Sequence, residues 1–144
     1  MKKFSFYFTR VMLLAVLALI TLSAREDNLP EDVAAHIEKI VGAYRVADQK
    51  LNNTQDSRYS ISISKSTAGT ALIELHNFGN IMYVPITAIV RGDHFYIQPQ
   101  TFKGKTISIV ISGAGSFSDT GLHFTYTVNT GHTQLIHQCE ATRK

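Results

Sequence analysis

Residues 84–98 read VPITAIVRGDHFYIQ, two runs of alternating apolar and polar residues on either side of Gly92-Asp93. A two-residue turn at Gly-Asp matches the twist of an antiparallel pair. It sets Val90 against Phe95 and Ala88 against Ile97, so that Val84, Ile86, Ala88, Val90, Phe95 and Ile97 share one face. Ile89 and Tyr96 then form a cross-strand pair on the opposite face. Arg91-Gly92-Asp93 also spells an integrin-type tripeptide, but Gly-Asp is what the turn itself requires.

The same period-two texture, rich in Ile, Val, Thr, Tyr and Phe, runs through everything after Gly42. It predicts eight strands: Ala43 to Asp48, Arg58 to Lys65, Ala71 to Asn77, Met82 to Arg91, His94 to Gln98, Thr106 to Ser118, Leu122 to Asn129 and Thr133 to Ala141. With only hairpin-length connections, the expected fold is all-β, an antiparallel up-and-down meander of eight strands closed into a barrel. A second turn at Thr130-Gly131 would oppose Tyr126 to Leu135, Phe124 to His137 and Leu122 to Cys139, again on one inward face. Tyr59, Ile61 and Ile63, then Ala71, Ile73 and Leu75, then Ile107, Ile109 and Ile111 should join that interior.

Upstream of the strands, Val33, Ile37, Ile40 and Val41 follow helical spacing, Pro30 suits a first turn, and Glu31 and Asp32 complement the positive helix end. One short helix over about residues 30–41 is therefore expected, stopped by Gly42. Residues 1–24 have the layout of a secretory signal: Lys2 and Lys3, an apolar run from Val11 to Leu22, and small residues to Ala24. That run is shorter than the roughly 20 residues of a membrane span. The expectation is a cleaved signal, a secreted or periplasmic protein without a stable membrane anchor, and a single domain over residues 25–144.

The 144-residue chain is 44% apolar and 17% charged, with no Trp and one Cys. Once Lys2, Lys3 and Arg10 are set aside, 11 of the 14 basic residues face 11 acidic ones, which removes the electrostatic warrant for a nucleic-acid partner. Cys139 has no second Cys in the chain to bridge to, so it reads as a buried small hydrophobe or else as an intermolecular disulfide partner or reactive thiol.

The predicted sixth strand puts Gly113 and Gly115 on the inward face before Phe117 restores bulk. Glycine inside a strand marks a bend or a close approach, with an aromatic neighbour filling the gap, or else it leaves a cavity. In the second case Tyr44, Tyr59 and Tyr126 would supply hydroxyls around a mostly apolar pocket completed by Phe124 and His137.

The short helix, Gly42-Ala43-Tyr44 opening the first strand, and the long polar loop Gln49 to Ser57 together resemble the entry of lipocalin and wider calycin barrels. Those families open the first strand with Gly-x-Trp and pack on it an Arg from the last strand; here Tyr44 stands in place of the Trp, and Arg143, just beyond the last predicted strand, is the candidate for that Arg. Their second and third motifs are not evident. The texture is similar to that of small secreted bacterial proteins described as calycin-like. The resemblance covers residues 29–144 and implies a barrel fold with ligand or partner binding.

Catalytic and metal-binding patterns are thin. His36, His76, His94, His123, His132 and His137 show neither the helical nor the tight Cys/His spacing of strong zinc motifs. A Cys139-His137 pair on one face of one strand lacks an acid to orient the His, while Asp48, Asp56, Asp93 and Asp119 read as turn residues. No catalytic residue, metal or cofactor is expected. Two binding modes remain. An open interior would carry or sense a small, mostly apolar ligand. A filled one would leave an adaptor or inhibitor that meets a protein partner, or a second copy, through its outer face and loops around Asn52 to Ser57 and Phe102 to Lys105.

Overall fold

The computed structural model describes residues 31–52 and 55–144; the expected signal segment and its cleavage position lie outside these residues. Helix α1 (Glu31–Ile40) is followed by β1 (Gly42–Lys50), β2 (Asp56–Lys65), β3 (Leu72–His76), a 3₁₀ turn (Phe78–Asn80), β4 (Ile86–Arg91), β5 (His94–Lys103), β6 (Ser108–Phe117), β7 (Gly121–Asn129) and β8 (Gln134–Arg143). Each strand pairs antiparallel with the next, and β1 pairs with β8, so the meander closes into an eight-stranded barrel without a free edge. Among the described residues no helix is long and apolar enough to cross a membrane.

The Gly92-Asp93 hairpin has the expected register, with Val90 opposite Phe95 and Ile89 opposite Tyr96. The β7–β8 hairpin does not. Asn129 faces Gln134 and Thr130 N–H donates to Thr133 O at 3.0 Å, so the turn residues are Gly131-His132. Tyr126 therefore opposes His137, Phe124 opposes Cys139, and Leu122 opposes Ala141, each two residues further along β8 than expected. Gly131 (φ 85°) and Gly92 (φ 59°) are the only positive-φ residues of their turns, the pattern of a type II′ turn with Gly at its first central position. Moving the turn by one residue moves the register by two, and the period-two faces survive.

Two strands begin or end elsewhere than expected. Residues 82–85 do not belong to β4: Pro85 has no N–H for a ladder, and Val84 is exposed rather than interior. Ile107, also expected inside, is exposed in the connection to β6. Strand β5 runs on past Gln98 to Lys103, with a register shift between Ile97 and Gln100 that accommodates Pro99.

Alternation delivers the interior. Tyr44, Val46, Ile61, Ile63, Ile73, Leu75, Ile86, Ala88, Val90, Phe95, Ile97, Ile111, Leu122, Phe124, Tyr126 and Cys139 are all buried. Helix α1 closes one end, with Ile37 and Ile40 in the core, His36 Nε2 3.2 Å from Asp93 Oδ1 at the β4–β5 turn, and Glu38 paired with Lys65 at the end of β2. The 3₁₀ turn sends Phe78 into the core from the connection at the other end.

Candidate functional site

Asp48 is the polar centre of the barrel. Counting by twos from Tyr44 through Val46 brings it onto the inward face, where it is 4% exposed. This corrects the reading of Asp48 as a turn residue: β1 continues to Lys50, so the side chain is committed to the interior before the turn begins. It also supplies the acid that His137 was expected to lack.

Three strands deliver donors to this carboxylate. Tyr59 on β2 donates its hydroxyl to Asp48 Oδ2 at 3.0 Å, and Tyr126 on β7 donates to the same oxygen at 2.8 Å. His137 on β8 places Nδ1 2.8 Å from Oδ1, and opposite a carboxylate oxygen that nitrogen is the donor. The His137 and Tyr126 rings stack at 4.4 Å with 13° between planes, and Phe78 meets Tyr126 edge-on at 4.6 Å. Cys139, directly opposite Asp48 in the β1–β8 register, is buried beside it.

Burial, reinforced by neighbouring Tyr126, Cys139 and Asp48, holds the Tyr59 phenol far above its ordinary range. Burial and then Asp48 do the same for Tyr126 and for the Cys139 thiol. All three groups are consequently neutral, and the two phenols donate to one acceptor. A thiol raised in this way is a poor nucleophile, because the thiolate is the reactive form. Every buried side-chain nitrogen and oxygen among the described residues has a hydrogen-bond partner. Among those residues no group of three or more His, Cys, Asp and Glu side chains is arranged to hold a metal ion. What the cluster does chemically is tie β1, β2, β7 and β8 together through a satisfied polar network.

The expected pocket residues divide into two groups. Tyr59, Tyr126 and His137 converge on Asp48. Tyr44 lies apart at the α1 end, where its hydroxyl donates to Ile40 O at 2.7 Å and accepts from Arg143 Nη2 at 2.8 Å. The Arg143 guanidinium sits 5.1 Å from the Tyr44 ring centre and also donates to the carbonyls of Val41 and Lys39. An arginine from the last strand thus packs on the first-strand aromatic.

Gly113 and Gly115 do not open space. Gly113 faces Tyr126 across β7, and Gly115 faces Phe124 on β7 and Phe95 on β5. A Cβ at Gly115 would lie 2.5 Å from Phe124 Cβ and 2.6 Å from Phe95 Cζ; at Gly113 it would lie 2.8 Å from Tyr126 Cβ. The missing side chains are replaced by aromatic rings laid over the glycine backbone.

Outside the barrel, β8, β1 and β2 form a groove of about 780 Å³ with Arg45, Arg58, Ser60, Glu140, Thr142 and Lys144 along it. No protein-family model matches the chain, and no curated protein matches it by sequence.

Proposed function

We propose that this chain is an exported, calycin-like binding protein that works from its surface, an adaptor or inhibitor whose filled barrel serves as scaffold for contact with a protein partner. The observation that carries this reading is the occupied space at Gly115, where Phe95 and Phe124 stand in the volume a small ligand would need. The locked network around Asp48 supports it, since an incoming ligand would have to separate groups that already satisfy one another. Closure of one end by Ile37 and Ile40 and entry of Phe78 from the other add to the same side. A carrier of a small apolar ligand is the competing reading, and it requires these side chains to withdraw together.

The test replaces Gly115 with Leu. In a filled barrel the added side chain overpacks the core and costs roughly 1 to 3 kcal/mol in a urea titration. The parent protein should take up no fluorescent fatty acid. Uptake by the parent that disappears in Gly115→Leu, with folding unchanged, would return the carrier reading in place of this one.

A further inference from the structure

Six large apolar side chains stand exposed among the described residues: Leu51, Ile81, Tyr83, Val84, Tyr96 and Ile107. In an up-and-down meander, successive connections alternate between the two ends of the barrel. Leu51 follows β1, Ile81, Tyr83 and Val84 lie between β3 and β4, and Ile107 lies between β5 and β6. Five of the six therefore belong to one end, the end away from α1. Chance scatter of exposed apolar residues is normal, but concentration at one end of a fold marks an interaction surface.

The segment 81–85 at that end is held in place on both sides. Phe78 and Met82 are buried, Met82 N–H donates to Phe78 O at 3.3 Å, and Ile86 is buried at the start of β4. Asn77 Nδ2 donates to Ser60 O at 2.8 Å, and Pro85 has its φ fixed by its ring. Between these anchors Tyr83 is fully exposed, with exposed Ile81 and Val84 beside it. A tyrosine on a pre-ordered loop loses little entropy on docking and offers both an apolar face and a hydroxyl, which is why tyrosine recurs at energetic centres of interfaces.

Charge narrows the partner. Lys50, Lys103 and Lys105 lie at this same end, against the single exposed acid Asp56 among its described residues, Asp48 being buried. Resting on the surface-binding reading above, we infer that this end docks a protein partner whose surface has an apolar pocket for Tyr83 bordered by carboxylates. A second copy of the chain would bring these lysines against their own counterparts. An anionic bilayer is matched by clusters of roughly four to eight basic residues, more than this end carries. Opposite charge at the border of a partner's pocket also steers the encounter.

The experiment pans a random-peptide display library against the full chain, then measures binding of the enriched peptides to Tyr83→Ser, to Lys103→Glu with Lys105→Glu, and to Arg45→Ala on the outer groove. All these side chains are exposed, so the variants should keep the parent's melting temperature. Enriched peptides should combine aromatic or aliphatic residues with Asp or Glu. They should weaken roughly tenfold or more with Tyr83→Ser and with the lysine reversals, and be unchanged by Arg45→Ala. Peptides lost with Arg45→Ala but indifferent to Tyr83→Ser would overturn this inference while leaving surface binding in place. Peptides displaced by a fatty acid would sink the filled-barrel reading itself. Failure to enrich any peptide overturns the inference. So does Tyr83-dependent sedimentation with phosphatidylglycerol vesicles, which would make the occupant a bilayer, or Tyr83-dependent dimerisation, which would make it a second copy.

Discussion

Asp48 is shared by side chains from three other strands, and removing it leaves two phenols and an imidazole without their acceptor. An unmatched buried polar group costs about 1 to 3 kcal/mol, and the losses of one network overlap, so Asp48→Ala should destabilise the fold by about 3 to 5 kcal/mol. Asp48→Asn, which keeps the shape and one acceptor oxygen, should lose less. Urea titrations give the comparison directly; a cost for Asp48→Ala below about 1 kcal/mol would mean that the network does not hold the barrel together. The position of Asp48 was legible, since it falls on the alternation that begins at Tyr44. Its role was not, because aspartate near a strand end is ordinarily a turn former, and the three donors come from 11, 78 and 89 residues away. Gly113 and Gly115 were legible as inward. Which way their space was used depended on the aromatic residues opposite them, and those are fixed only by pairing with β5 and β7.

At the scale of elements, the β7–β8 hairpin shows how much a turn decides. Thr130-Gly131 and Gly131-His132 are adjacent candidates, and only the second puts Gly at the position where a type II′ turn needs positive φ. Gly131→Val forces a β-branched residue to φ 85° and should cost about 1 to 3 kcal/mol by thermal or urea unfolding, although a side chain there would meet no atom within 4 Å. An unchanged midpoint would contradict the turn. Strand existence was legible in all eight cases because the apolar period is two throughout. Two strand ends were misread at Pro: Pro85 excludes residues 82–85 from β4, whereas Pro99 is absorbed into β5 by a bulge.

For the molecule as a whole, the neutral thiol and phenols of the interior impose a direction on its response to pH. The Cys139 thiol is raised above its ordinary value of 9.0, and the Tyr59 and Tyr126 phenols above 10.0. In the unfolded chain these groups release protons at their ordinary values, so between those values and the raised ones the unfolded state binds fewer protons than the folded one. Their contribution is fully present below about pH 9 and falls as pH rises from there. Denaturant midpoints measured along an alkaline series should decline from about pH 9, and Cys139→Ala should postpone the onset by about one pH unit, to where the phenols titrate. A curve identical to the parent's would mean that the thiol takes no part. The fold class and the helix were legible at this scale, since a meander of eight strands is the economical way to use hairpin connections. The proposed docking end was legible in part: loops such as 102–105 were visible as candidates, and Tyr83 falls outward by alternation from Val84, but it read as a strand residue rather than part of a loop at that end.

Closure of β1 against β8 also has a consequence in time. A polypeptide is made from its N-terminus, so the first strand exists long before the strand that completes its ladder. Lys50 pairs with His137 across 87 positions of chain, and until β8 arrives both β1 and β7 present bare edges capable of pairing with anything extended. Early segments can form hairpins, but the Asp48 carboxylate has no imidazole and the Tyr44 ring no guanidinium while they wait. Folding should therefore be a late, concerted and slow event, as non-local β closure is in general. That order keeps the incomplete chain loose: the contacts that lock the barrel are the last ones it is able to make.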